Sequence, residues 1–180
     1  MIAALPLLLL DVDGVLCPLG DRGREPLVEH GVAGETYLCF SVHTAARLRR
    51  LAKSFRLVWA TSSEHEANAV IAPLFELPPL PVIVVNDDAG EGESWKLPAI
   101  RDCVGDRPFA YIDDAVGVDA VEWAATRAAP TLLLPISGDR GLLAADVDEL
   151  ERFRSRDRRS QRLISRQDRT CRGSPRQVPP

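Results

Sequence analysis

Two aspartates one residue apart, Asp11 and Asp13, close an unbroken apolar run, Leu7-Leu8-Leu9-Leu10, and Gly14 follows them. Two more carboxylates, Asp113 and Asp114, close a second apolar run, Phe109-Ala110-Tyr111-Ile112, and the hydroxyl pair Thr61-Ser62 closes a third, Leu57-Val58-Trp59-Ala60. Side chains at i and i+2 of an extended segment share a face, so Asp11 and Asp13 are placed to enter one crevice. Carboxylates that close repel one another and call for a cation or a shared proton. A hard cation such as Mg2+ takes such oxygen ligands and usually recruits a substrate phosphate as well. Lys96, one of only two lysines against twenty arginines, supplies a compact positive charge suited to a phosphate. Each residue has a plainer reading by itself: a capping Asp11, an Asp13-Gly14 turn, a Thr61 helix cap, a surface Lys96. Their common position at strand ends is what points to phosphate chemistry.

Short apolar runs bounded by turn signals suit strands buried on both faces, as in a parallel sheet. Five such runs occur, over about residues 7–10, 56–60, 82–85, 108–112 and 131–134. Helical patterns lie between them: 42–54 with Ser41 as cap, 64–74 weakened by Pro73, 96–104 after Ser94, 119–129, and 146–154. Strands alternating with helices predict an α/β fold, a three-layer, Rossmann-like sandwich whose mostly parallel five-stranded sheet has right-handed crossovers. All the polar strand ends then lie at the carboxyl edge, where open α/β sheets hold their ligands. The glycine- and proline-containing stretch 17–40 predicts a loop or small hairpin over that crevice. Asn86, Asp87 and Asp88 end the third run and read as a solvated loop.

The chain has 180 residues, ample for one domain with a real core. Its net charge of −4 is unevenly spread: residues 151–180 hold ten arginines against three acidic residues. The sequence therefore predicts an acidic globular domain over 1–155 and a basic, disordered tail over 156–180, where only Leu163, Ile164 and Val178 are large and apolar. Cys17, Cys39, Cys103 and Cys171 form no C-x-x-C pair, which fits reduced thiols in a cytoplasmic protein. The apolar run at the N-terminus stops at Asp11, too short to span a bilayer.

The order Asp11-x-Asp13-Gly14-Val15, then strand-Thr61, then Lys96, then strand-Asp113-Asp114 resembles the four motifs of the haloacid dehalogenase superfamily of phosphohydrolases. The match covers residues 7 to about 114. The stretches Leu57 to Thr61 with Glu64 to Asn68, Trp95 to Pro98, and Pro108 to Asp114 are similar to phosphatase-like domains attached to "Swiss Army Knife" RNA-repair proteins. The resemblance implies that Asp11 is a nucleophile forming an aspartyl-phosphate, and that Asp13 is the acid for the leaving oxygen and then the base for water. It implies a Mg2+ site of Asp11, the Asp13 backbone carbonyl and Asp113, with Asp114 direct or through water. Thr61 and the Ser62 backbone N–H would hold the phosphoryl oxygens, and Lys96 would screen the charge. The dehalogenase branch lacks the second Asp, so Asp13 favours phosphate ester hydrolysis. Both cap positions are short, which predicts an open site with a minimal cap. It admits a phosphorylated small molecule, a nucleotide or a nucleic-acid end. A non-catalytic domain that binds metal or phosphate is the alternative. A receiver-type domain fits less well, because its acidic pair and phosphorylated Asp lie on different strands.

Overall fold

The computed structural model describes residues 4–20, 25–32, 36–85 and 94–171. Strand β1 is Leu7–Leu10. A hairpin follows, β2 (Leu27–Val32) antiparallel to β3 (Thr36–Ser41), then helix α1 (Thr44–Ala52) and strand β4 (Arg56–Trp59). A π-helical turn, Ala67–Ile71, runs into the short helix α2 (Ala72–Leu74). Helix α3 (Leu97–Val104), strand β5 (Phe109–Asp113), helix α4 (Val118–Thr126), strand β6 (Thr131–Pro135) and helix α5 (Ala144–Cys171) complete the order.

The main sheet has the order β4-β1-β5-β6, and every pair in it is parallel. The leucine run is central because it must bury both faces. Leu8 and Leu10 point into one apolar cluster with Leu48 and Leu51 of α1 and Val147 and Leu150 of α5. Leu7 and Leu9 point into the other, with Ile100 and Val104 of α3 and Tyr111 of β5. Helices therefore cover both sides of the sheet, as the alternation of strands and helices predicts. Truncating one of these fully buried leucines to alanine costs about 2–5 kcal/mol.

Two expectations need correction. The sheet has four strands rather than five. The segment at 82–85 meets β4 only through the Trp59–Val82 bridge, in which the Trp59 N–H donates to the Pro81 carbonyl and the Ile83 N–H donates to the Trp59 carbonyl. Pro78, Pro79 and Pro81 have no N–H to give, so the ladder cannot extend backwards from that bridge. The connector is fixed instead by Asn68, which accepts from Trp59 Nε1 and the Leu80 N–H and donates to the Leu80 carbonyl. Residues 86–93, including Asn86, Asp87 and Asp88, lie outside the described residues.

The last helix does not stop near Arg154; it continues to Cys171, so the boundary at 155 cuts through it. Residues 144–171 contain neither proline nor glycine, and arginine and glutamine are good helix formers. A buried ion pair also crosses the expected boundary, Arg154 Nη1 to Asp157 Oδ2 at 2.6 Å. Counting large apolar residues missed both effects. Residues 172–180 lie outside the described residues. Among those described, no helix is long and apolar enough to cross a membrane.

The direction of α5 matters for the tail. Its lead-in sits at the carboxyl edge of the sheet, where the Leu142 N–H donates to the Val15 carbonyl. Phe153 stacks on Phe55, the residue before β4, at the amino edge. Residues 154–171 thus run on from the edge opposite Asp11, about 27 Å of helix at ~1.5 Å per residue.

Candidate active site

Asp11 is the first residue after β1, and its N–H donates to the Ile112 carbonyl of β5 at 3.2 Å. The chain then turns tightly: the N–H groups of Val15, Leu16 and Cys17 all donate to the Val12 carbonyl. Among the described residues, no bond of this turn ends on the Asp13 carbonyl, which stays available as a ligand. Gly14 has φ +71°, and a Cβ there would sit 2.3 Å from Asp114 Oδ2. A Cβ on Gly138 would sit 2.8 Å from the same oxygen. Two glycines thus form the cradle for the Asp114 carboxylate as it is placed, and a Cβ at either position would displace that side chain.

Three carboxylates from two strand ends converge. Oxygens of Asp11, Asp113 and Asp114 all lie within 4.8 Å of one another. Lys96, the residue just before α3, is buried and sends Nζ to Asp11 Oδ2 at 2.9 Å and Asp113 Oδ2 at 2.7 Å. Tyr111 Oη donates to the same Asp113 oxygen at 2.5 Å, and the Ala115 N–H donates to Asp113 Oδ1 at 2.7 Å. Asp11 Oδ1 accepts its neighbour's N–H, from Val12, at 2.8 Å. Each carboxylate oxygen has two acceptor positions, so Asp113 Oδ2 is filled while Asp113 Oδ1 and both Asp11 oxygens each keep one for a cation.

The electrostatics follow from burial. Removal from water pushes the Asp11 carboxyl up to about 6; the Lys96 ammonium pulls it back, and the Asp113 charge adds to the rise. Burial and the Asp113 carboxylate push the Tyr111 phenol upward, so Tyr111 acts as a permanent donor. Burial likewise drives the Cys17 thiol up to about 12, which makes it inert as a nucleophile.

A divalent cation fits this donor set. Three carboxylates and one ammonium leave two negative charges in a largely buried place. Octahedral Mg2+ holds its oxygens at about 2.0–2.1 Å, so opposite ligands lie about 4.2 Å apart. Of three oxygens on one octahedron at least two pairs are adjacent, about 2.9 Å apart, so the group, whose oxygens lie within 4.8 Å of one another, would draw together around the ion. The arrangement does not select Mg2+ over other hard cations.

Thr61 belongs to the same edge. The Ala60 N–H donates to the Leu10 carbonyl at 2.8 Å, which carries the β1–β4 register on so that Ala60 lies across from Asp11 and Thr61 follows it at the same edge. Thr61 is fully buried, and among the described residues its hydroxyl receives only a long 3.4 Å contact, from the Ser63 N–H. Ser62 departs from expectation: it is exposed in a turn closed by the Glu64 N–H and the Thr61 carbonyl, not in the first turn of a helix. Asp13 is exposed, and its carboxylate stands outside the three-carboxylate group. His65 is exposed, as are His30 and His43.

Tyr111 was missed by reading motifs alone. It lies two residues before Asp113 in a strand and shares its face, which is the signal that would find it. Gly138 has no signal in the sequence, because its role exists only once the β6 loop meets Asp114. No protein-family model matches the chain, and no curated protein does.

Proposed function

We propose that this chain is a Mg2+-dependent phosphatase of the haloacid dehalogenase type, which hydrolyses a phosphomonoester through an aspartyl-phosphate on Asp11. The observation that carries the reading is the buried Asp11 carboxylate at a parallel strand's carboxyl end, with Lys96 Nζ at 2.9 Å and Asp113 and Asp114 beside it. Nucleophilic attack by a carboxylate on a phosphate faces charge repulsion, and such a site is built to relieve it. Asp11, Asp113, Asp114 and the Asp13 carbonyl would hold the cation, which supplies charge neutralisation at the phosphoryl oxygens when bound.

An Asp11 oxygen forms a bond to phosphorus as the bond to the ester oxygen breaks, and Asp13 gives its proton to that oxygen. Water then attacks phosphorus, Asp13 takes the proton, and the Asp11–phosphorus bond breaks to release inorganic phosphate. Asp13 suits this role because it is exposed, one residue past the nucleophile's neighbour, and free of the carboxylate group. Lys96 holds Asp11 oriented and balances its charge. Thr61 offers a hydroxyl to a phosphoryl oxygen. Among the described residues the hairpin β2–β3 is the one insertion at the first cap position, which supports an open site for a nucleotide, a nucleic-acid end or a small phosphate ester. The free thiols of Cys17 and Cys39 and the half-buried Cys103 support a reducing, cytoplasmic setting.

The test is release of inorganic phosphate from p-nitrophenyl phosphate by wild type, Asp11→Asn and Asp13→Asn, with Mg2+ and with chelator. The reading requires Mg2+-dependent turnover in wild type and its loss in Asp11→Asn. Metal binding without turnover would favour a non-catalytic metal- or phosphate-binding domain.

A further inference from the structure

Three tryptophans occur in the chain, and their surroundings differ sharply. Trp59 is fully buried in the sheet. Trp123 is half-buried, against Phe109 and under the guanidinium groups of Arg101 and Arg127. Trp95 is 47% exposed, although it stands directly before the buried Lys96. The Lys96 ammonium, the group that touches Asp11, lies 5.1 Å from the centre of the Trp95 ring. Trp95, Lys96, Tyr111 and Asp113 line one small cleft whose floor is Leu97, Ile100 and Ala120.

The backbone on either side of Trp95 is anchored. Before it, the Ser94 N–H and Oγ both donate to the Asp119 carboxylate, at 2.7 and 2.5 Å. That latch closes tightly over Gly117, where a Cβ would lie 2.0 Å from Ser94 Oγ. After it, Lys96 is held by its two ion pairs. An exposed indole on a fixed backbone, next to the cation of the site, presents a rigid apolar face at low entropic cost. Nearly half of that large side chain stays in water.

We propose that Trp95 is a substrate-binding platform at the mouth of this site, and that the substrate class is a phosphomonoester whose leaving group carries a planar aromatic ring, such as a nucleobase. The inference rests on the phosphatase reading for its reaction, but the stacking itself does not. With the phosphoryl group at Asp11 and Lys96, the leaving group extends outwards past the residue next to Lys96. Stacking on an indole tolerates any base, because every base has a π-face. It distinguishes a nucleotide from the same sugar phosphate without its base.

The experiment compares adenosine 5′-monophosphate with ribose 5-phosphate, in Mg2+, on wild type, Trp95→Ala and Trp95→Phe. Wild type is expected to show kcat/KM roughly tenfold or more in favour of the nucleotide. In Trp95→Ala that ratio falls towards one, and Trp95→Phe restores most of it. Equal losses on both substrates in Trp95→Ala would overturn the proposal, because the ring would then act only through Lys96. The same probes are titrated calorimetrically into Asp11→Asn with and without Trp95→Ala, which reads binding apart from turnover. If wild type hydrolyses neither probe, turnover of p-nitrophenyl phosphate decides the phosphatase reading, and the calorimetry alone decides the platform. Nucleotide binding that depends on Trp95 supports it; nucleotide binding indifferent to Trp95, or none, overturns it. Circular dichroism of the variants separates loss of folding from loss of stacking.

Discussion

Replacing Asp11 by Asn should make the metal-free protein more stable while ending its proposed activity. Burial raises the Asp11 carboxyl from 3.8 to about 6. Each pKa unit is about 1.36 kcal/mol of differential interaction, so holding this charge in the folded state costs about 3 kcal/mol at neutral pH. Asparagine keeps the shape and an acceptor for Lys96 but carries no charge, and Asp113 still pairs with the ammonium. The attraction to Lys96 is already inside that net figure; the poorer fit of an amide beside the ammonium offsets part of the gain, so about 1–3 kcal/mol is expected, or roughly 3–10 °C in Tm for a chain of this size. A raised acid pKa gives stability that is fully present below 3.8 and is lost as pH rises through 6. The gap between variant and wild type should therefore be near zero below pH 4, open between pH 4 and 6, and stay constant above. The assay is thermal unfolding followed by circular dichroism in chelator across that range. Saturating Mg2+ should narrow or reverse the gap, since wild type binds it more tightly. An Asn variant no more stable than wild type at pH 7.5, or a gap independent of pH, would refute the reasoning.

Gly14→Ala should lower stability by about 1–3 kcal/mol and abolish the thermal response to Mg2+, because φ is +71° and the added methyl strikes the Asp114 carboxylate; a Mg2+ titration of Tm checks it. Glu25 anchors the hairpin base to α1: the Arg47 guanidinium and then the Ser41 hydroxyl hold its carboxyl down to about 2. Its contribution is present above the usual 4.5 and lost as pH falls towards 2, so Glu25→Gln should cost about 1–3 kcal/mol at pH 7 and little at pH 2, read from urea unfolding. Asp157→Ala should cost about 3–5 kcal/mol, since it strands the buried Arg154; an unchanged urea midpoint would return residue 157 to a disordered tail.

The parallel sheet was legible because its strands bury both faces, which leaves unbroken apolar runs at residues 7–10, 57–60 and 109–112. The strand-end positions of Asp11, Thr61 and Asp113 followed from those runs. The short ladder at Val82 was not legible, because an apolar run says nothing about how many partners a proline-flanked segment can hold. The length of α5 was hidden for a related reason: helix propensity and a buried Arg154–Asp157 pair replace the large apolar residues that mark other helices. The direction of α5, which runs on from the edge opposite Asp11, is likewise carried by no composition. The closeness of Asp114 to Gly14 and Gly138, and of Trp95 to the Asp11–Lys96 pair, are tertiary facts that no local pattern carries.

The central claim is that Asp11 takes the phosphoryl group. Acid-quenching the Mg2+-loaded protein during turnover of p-nitrophenyl phosphate, followed by peptide mass spectrometry, tests it directly. A hydroxylamine-labile phosphoryl adduct is expected on the peptide carrying Asp11 and Asp13, and none on the same peptide of the Asp11→Asn variant. Steady release of phosphate with no adduct on that peptide at any quench time, or equal turnover in Asp11→Asn, would contradict it.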